Sequence, residues 1–342
     1  MMNEPATILD VPPTEQALLL LRRSGALDQP ALQRALEIVR PAPERQAWVR
    51  FLSLVMLILG AGLVVSGIYF FFAYNWNSLH RFVKLGLLEG LVVAAVLLAY
   101  WLGLDRLPGK VALSAAALLV GALLAVYGQI YQTGADAYQL FVTWTLLALG
   151  WVAISFFTPL WLVWMVLVNL SLLFFWQQVL GWENDLIYLM LYLANGAAIV
   201  AWEIAHWRGV PWVGSRWSPR LLALPFFAAL VAAALRLIYL AYDTSFYEAL
   251  QPPGPLLWLM LGLLLVSSAA VLYLYSQKIL DLFLLTICCF SLIVVVNFWV
   301  ARAFEDLDEL LFFLISGLLI AQSALVVAWL RRVARAWERR GG

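Results

Sequence analysis

Two charged side chains interrupt segments that are otherwise apolar: Glu89, within 85–104, and Arg236, within 220–241. A charge in hydrocarbon is costly and is kept only where it finds a partner, water or a route to the interface. Each of these residues lies about one turn inside the same end of its segment, so an ion pair between them is expected to be within reach. The plain alternative is a helix-packing contact, or an arginine that extends its guanidinium toward the headgroups. Hydrogen-bonding groups collect at the same level: Asn75, Gln129, Tyr131, Gln132, Asp136 and Asn297. With Glu89 and Arg236 they define a candidate outward-facing polar cleft, whose chemistry would be recognition of a small polar ligand. Interhelical hydrogen bonds of about 1 kcal/mol each are the bland reading of the same residues.

Other constellations carry less. Glu203 and His206 form a Glu-x-x-His step, which in di-metal bundles appears twice with two further carboxylates. Here it occurs once, and His80 is the other histidine, so no metal site is expected. The acidic run from Glu305 to Glu309 lacks the glycine turn and ligand spacing of a calcium loop. Cys288 and Cys289 are adjacent and have no third partner, and they read as small packing residues. No phosphate-binding loop, nucleophile elbow or zincin helix is present. No catalytic residue or cofactor is assigned, and the residues point away from an enzyme. Asn169 and Asn195 fall near mid-segment and are expected to join helices. Gly60, Gly62 and Gly67, and Gly86 with Gly90, are expected to allow close helix approach.

The elements that position these groups follow from composition. Of 342 residues, 65% are hydrophobic and 12% charged, with a mean hydropathy of +0.91. Soluble domains are about half apolar and a quarter charged, so lipid must surround most of this chain. Apolar runs of about 20 residues lie near 51–72, 85–104, 111–131, 140–157, 160–180, 186–206, 220–241, 255–276, 280–301 and 310–330. Thr158-Pro159 separates the fourth from the fifth, and a tight hairpin is expected there rather than one kinked helix. The fold class is therefore all-α: a polytopic bundle of about ten spans.

Charge orients it. With the N-terminus inside, 17 basic residues fall on the cytosolic side, and Arg81, Lys84 and Arg302 fall outside. That bias is the positive-inside signature and places both termini in the cytosol. Residues 1–47 form a cytosolic N-terminal segment. Thr14 and Gly25 bound a first short helix, and Asp28, Pro30 and the stripe Ala31, Leu32, Ala35, Leu36 and Val39 mark a second. This helical hairpin is too small for its own core and is expected to dock on a protein partner. Residues 48–330 form the membrane domain and 331–342 a basic cytosolic tail. A nucleic-acid partner is not expected, because acidic residues interleave with the N-terminal arginines.

Three stretches carry a resemblance. Residues 18–40 (LLLLRRSGALDQPALQRALEIVR), 69–86 (YFFFAYNWNSLHRFVKLG) and 121–144 (GALLAVYGQIYQTGADAYQLFVTW) resemble the bacterial predicted-membrane-protein family catalogued as domain of unknown function 2157 (DUF2157). Beyond about residue 180 only hydropathy is similar. The resemblance implies a short cytosolic helical segment followed by many spans in the bacterial inner, or cytoplasmic, membrane. It implies no activity, cofactor or catalytic residue.

The expected role is a non-catalytic membrane component: a scaffold, sensor or assembly partner. A small-solute permease using the outward cleft is the alternative. An intramembrane enzyme acting on lipid or glycan ranks third.

Overall fold

A backbone in hydrocarbon must satisfy its N–H and C=O groups internally, and an α-helix does so within one segment. The computed structural model describes residues 18, 21–22, 27–39, 45–74, 80–132, 134–214, 216–242, 254–305 and 309–340. Among these residues there are eleven helices and no strand. They are α1 (Gln29–Val39), α2 (Arg45–Tyr74), α3 (Arg81–Leu102), α4 (Leu107–Tyr131), α5 (Ala137–Ser155), α6 (Thr158–Phe175), α7 (Leu186–Trp207), α8 (Trp217–Tyr242), α9 (Pro255–Gln277), α10 (Leu282–Ala303) and α11 (Glu309–Arg340). The ten from α2 to α11 are long and apolar enough to cross a membrane. The ten expected spans are all present.

The chain divides into two units, Met1–Phe70 and Phe71–Gly342. In the first, Asp28 caps α1 as its position suggests: the Ala31 amide donates to Asp28 Oδ1 at 2.8 Å. Leu32 of the expected stripe is buried, as is Leu18. Thr14, Gly25, Pro41 and Pro43 lie outside the described residues.

The second unit is built around α8, which contacts α7, α9 and α10; α7 and α9 run antiparallel to it, and α10 starts at the same end as α8. Ala223, Leu230, Ala233, Ala234 and Leu237 of α8 pack against Leu257, Met260 and Leu264 of α9 and Leu284, Leu285 and Cys288 of α10. Small residues let those backbones come close, which is how helices associate when lipid offers no hydrophobic drive. A second cluster joins Ala117 of α4, Ala148 and Val152 of α5 and Leu160 of α6. At the α5–α6 turn Phe156 takes a left-handed conformation, φ 44°. The Phe157 amide donates to Ser155 Oγ at 3.2 Å, and α6 starts at Thr158 with Pro159 in its first turn. The break is a hairpin.

Close approach falls on other glycines than expected. A Cβ at Gly86 or Gly90 would meet nothing within 4 Å among the described residues. At Gly121 it would collide with the Trp144 ring, whose indole N–H donates across the helix interface to the Ala117 carbonyl at 2.7 Å. At Gly109 it would collide with the Gly103 carbonyl oxygen, so the tight α3–α4 connection depends on that hydrogen. The sequence spacing marks small residues but not which one faces a large neighbour.

The last helix also differs from expectation. The apolar run ends near 330, yet α11 continues to Arg340, because alanine and arginine sustain a helix and no breaker intervenes. Trp329, Leu330, Val333 and Trp337 pack on the α8–α9–α10 core, and the Trp337 indole N–H donates to the Ser276 carbonyl at 2.7 Å. Residues 331–340 thus prolong the last span as a helix.

Gly121→Val is expected to lower the thermal unfolding temperature in detergent by overpacking against Trp144, a cost of about 1–3 kcal/mol. Gly86→Val should leave it within experimental error, and an equal effect at both positions would contradict the assigned contact.

Candidate functional site

Acidic residues concentrate at one end of the spans, so a carboxylate among the basic residues of the other end is conspicuous. Glu203, near the end of α7, and Asp281, just before α10, are such residues. Asp281 caps α10, accepting from the amides of Phe283 at 3.0 Å and Leu284 at 3.5 Å. A carboxylate suits that place, because four amides and the positive end of the helix dipole meet there.

Asp281 also accepts from Arg220 Nε at 3.0 and 3.2 Å and stands 3.7 Å from Arg216 Nε. Arg216 turns its two terminal nitrogens to Glu203 in a fork, at 2.9 and 3.1 Å. The Tyr275 hydroxyl of α9 donates to the same carboxylate at 2.8 Å. The result is a continuous network, Tyr275–Glu203–Arg216–Asp281–Arg220, fastening α7, the α7–α8 loop, α8, α9 and α10. Asp281 is 2% exposed. Burial opposes the charge on Arg216, but its hydrogen bond to Glu203 and the charges of Glu203 and Asp281 outweigh that and raise its pKa above the usual guanidinium value. Arg216 stays cationic, and both carboxylates are spent on arginines. Such an arrangement clamps helix ends; its groups are engaged rather than poised as bases.

Beside the clamp lies an aromatic cluster. Trp212 stacks on Trp161 with ring centroids 6.0 Å apart and meets Trp202 edge-on at 5.5 Å. The Thr158 hydroxyl donates to the Trp212 carbonyl at 2.9 Å, and Lys110 Nζ donates to the Phe156 carbonyl at 3.3 Å. These bonds gather the α3–α4, α5–α6 and α7–α8 connections at one end, termed the basic end. Sequence reasoning counted Arg216 and Arg220 only among the basic residues of the cytosolic side. The signal it passed over was the pair of acids on the basic side.

The expected cleft residues are dispersed. Gln129 and Asp136 line a groove of about 550 Å³ between α4 and α5, with Tyr127, Gln139 and Thr143. Tyr131 flanks it through its ring contact with Tyr127, 4.7 Å between centroids. Gln132 ends α4 in a left-handed conformation, φ 43°, and its amide donates to the Gly128 carbonyl. Glu89 is exposed on α3. Arg236 pairs with Asp185 rather than with Glu89: Nε donates to Asp185 Oδ1 at 2.5 Å, and Nη2 to the Glu183 carbonyl at 3.4 Å. Asp185 immediately precedes α7, which packs on α8, so it reaches Arg236 through a direct neighbour. Asn297 donates to Gln322 of α11 at 2.6 Å and to the Ile293 carbonyl at 2.8 Å. Asn75 lies outside the described residues.

Mid-span polar groups close on one another. Asn169 and Asn195 exchange hydrogen bonds at 3.1 and 2.7 Å, the interhelical role expected of them. Thr145 and Ser171 meet at 3.2 Å, as do Tyr192 and Ser267. Glu203, considered above as half of a metal step, is bound to Arg216 and Tyr275, while His206 is exposed. Among the described residues no three His, Cys, Asp or Glu side chains gather as a metal site. Of the acidic 305–309 stretch, Glu305 pairs with Arg302 at 2.8 Å, and 306–308 lie outside the described residues.

Residues 20–161 match the model of a family described as predicted membrane protein (DUF2157), the family that the three stretches above resemble. The match runs from the N-terminal helical segment to the start of α6 and includes the α4–α5 groove, whereas the clamp is built from residues 203–281. No curated protein and no solved structure matches the chain.

Asp281→Asn keeps a capping side chain but strands Arg220 and leaves Arg216 with Glu203 alone. It is expected to cost about 3 kcal/mol of detergent stability, against about 1 kcal/mol for Glu203→Gln, whose ion pair is partly exposed. Thermal unfolding of the two variants checks the order, and a reversed order would contradict Asp281 as the centre of the clamp.

Proposed function

We propose that this integral membrane protein is a non-catalytic component of the bacterial cytoplasmic membrane, a scaffold or assembly partner, with both termini in the cytosol. The observation that carries this reading is the closure of mid-span polar groups in pairs, Asn169 with Asn195 and Thr145 with Ser171, to which Asn297 with Gln322 adds a pair nearer the outer end. A permease has to leave such groups open to its solute, because a polar solute gives up water at mid-membrane and needs replacement partners there. Here those partners are spent on helix association. The clamp adds to the same reading. It ties four helices together at one end, and sliding them apart would expose charges that now neutralise one another.

The N-terminal segment supplies the partner side of the role. Its stripe repeats at helical spacing, and its size is below what a self-standing core requires. A cytosolic protein is the partner proposed for it.

A second reading draws on the α4–α5 groove. With about 550 Å³ and the side chains of Gln129, Asp136 and Gln139 at its wall, it has the dimensions of a small-ligand pocket. In that reading the chain is a small-solute permease whose ligand enters beside Asp136.

Cysteine accessibility separates the two. In a Cys288→Ala/Cys289→Ala background, single cysteines replace Asn169, Asn195 and Tyr131 in turn, and membranes are treated with a membrane-impermeant maleimide. The expected result is labelling at 131 alone, with 169 and 195 reacting only after denaturation. Native labelling at 169 or 195 would mean that water reaches mid-span, and would overturn the scaffold reading in favour of the permease.

A further inference from the structure

A second groove, of about 450 Å³, runs between α6, α7 and α8. Apart from Asn169, which bonds to Asn195, and the Tyr188 ring, its walls are apolar, with Leu170, Leu173 and Leu191 among them, and its floor on α8 is formed by small residues, Ala228, Ala229 and Ala232. Pro225 sits lower on the same helix face and removes one helical hydrogen bond. Both Ala228 and Ala232 are open at the surface. A narrow apolar channel with an alanine floor on a membrane-exposed face fits an unbranched hydrocarbon chain, and the volume is that of a single chain rather than a folded partner.

The end of this groove is charged. Arg236 follows Ala232 by four residues and therefore lies one turn along on the same face of α8. Counted from the middle of α8, it stands about 10 Å toward the membrane surface, where a guanidinium meets a lipid phosphate rather than hydrocarbon. Its bonds to Asp185 and to the Glu183 carbonyl run from Nε and Nη2. The fork has further donors on Nη1, and the side chain is 30% exposed. Tyr188, which lines the groove, lies in the fields of both Arg236 and Asp185, so groove and charges are one neighbourhood. Asp185 accepts from the arginine, and Glu183, two residues before it, has an exposed side chain. The headgroup that suits this arrangement carries both signs: a phosphodiester for Arg236, and an ammonium for the carboxylates.

We propose that the α6–α7–α8 groove is a binding site for one chain of a phosphatidylethanolamine molecule, with Arg236 holding its phosphate and Asp185 and Glu183 facing its ammonium. The site stands independently of the scaffold reading, since either a scaffold or a permease can carry a resident lipid.

The test uses the full chain, stripped of lipid in detergent. It is titrated with phosphatidylethanolamine, phosphatidylglycerol or diacylglycerol of the same acyl composition, with binding read by native mass spectrometry and thermal unfolding. Phosphatidylethanolamine is expected to bind most tightly. Arg236→Gln should weaken it by about tenfold, the loss of one charge-assisted contact, and leave diacylglycerol unchanged. Ala232→Trp fills the groove and should abolish discrete binding of all three. Asp185→Asn should move the preference toward phosphatidylglycerol, and it serves as the headgroup test where Arg236→Gln does not fold. Equal binding of the three lipids by the wild type, or binding untouched by Ala232→Trp, would overturn the site. Preference of the wild type for phosphatidylglycerol would overturn the headgroup assignment.

Discussion

Hydrocarbon offers no hydrogen bonds, and the arrangement of the second unit follows from that single fact. A polar side chain within a span must find its partner on a neighbouring helix or lie near an end where water begins. Asn195 is fully buried and finds Asn169; Asn297 finds Gln322. Because each such pair requires two particular helices to be adjacent and in register, the pairs act as addresses as much as stabilisers. The apolar contacts between them are interchangeable by comparison, since leucine meets lipid and leucine on nearly equal terms.

The same constraint explains why charge collects at the two ends of α8, the most enclosed helix. Arg220 lies in its first turn, where the helix dipole disfavours a cation. Asp281 compensates from the start of α10, where the dipole favours an anion, so one carboxylate satisfies two helix beginnings. Toward the other end Arg236 sits with the dipole and takes Asp185, the residue just before α7. The two contacts differ in isolation: Asp281 is almost wholly enclosed, while Asp185 and Arg236 both retain some exposure. The first is suited to holding helices, and the second remains open to a ligand.

The architecture was legible in the sequence because span detection rests on length and hydropathy, which are local properties. The ten spans, the Thr158-Pro159 hairpin and the Asp28 cap needed no knowledge of neighbours. Partner choice did. Glu89 and Arg236 share a depth and have opposite signs, but depth says nothing about azimuth or helix adjacency, and Asp185 is the closer acid once α7 lies against α8. The glycines illustrate the same limit. Gly86 and Gly90 have the spacing of a close-approach motif, whereas Gly121, flanked four residues away by Ala117 and Ala125 rather than by a second glycine, is the one that receives Trp144. The clamp was missed for a different reason: positive-inside counting assigns arginines to a side and stops there, leaving their acidic partners unasked.

A division of mechanical character between regions follows. The clamp binds α7 through α10 at their basic end, and the core around α8 fills the space behind it. Any relative motion of those helices would separate charges that are partly or wholly desolvated, a cost far above that of sliding apolar faces. The α4–α5 pair is held instead by aromatic and small-residue packing, with its groove open at the far end. Relative motion of α4 and α5 would break the Trp144–Ala117 hydrogen bond. The α4–α5 groove falls inside residues 20–161, the part that matches the family model, while the clamp lies wholly outside it.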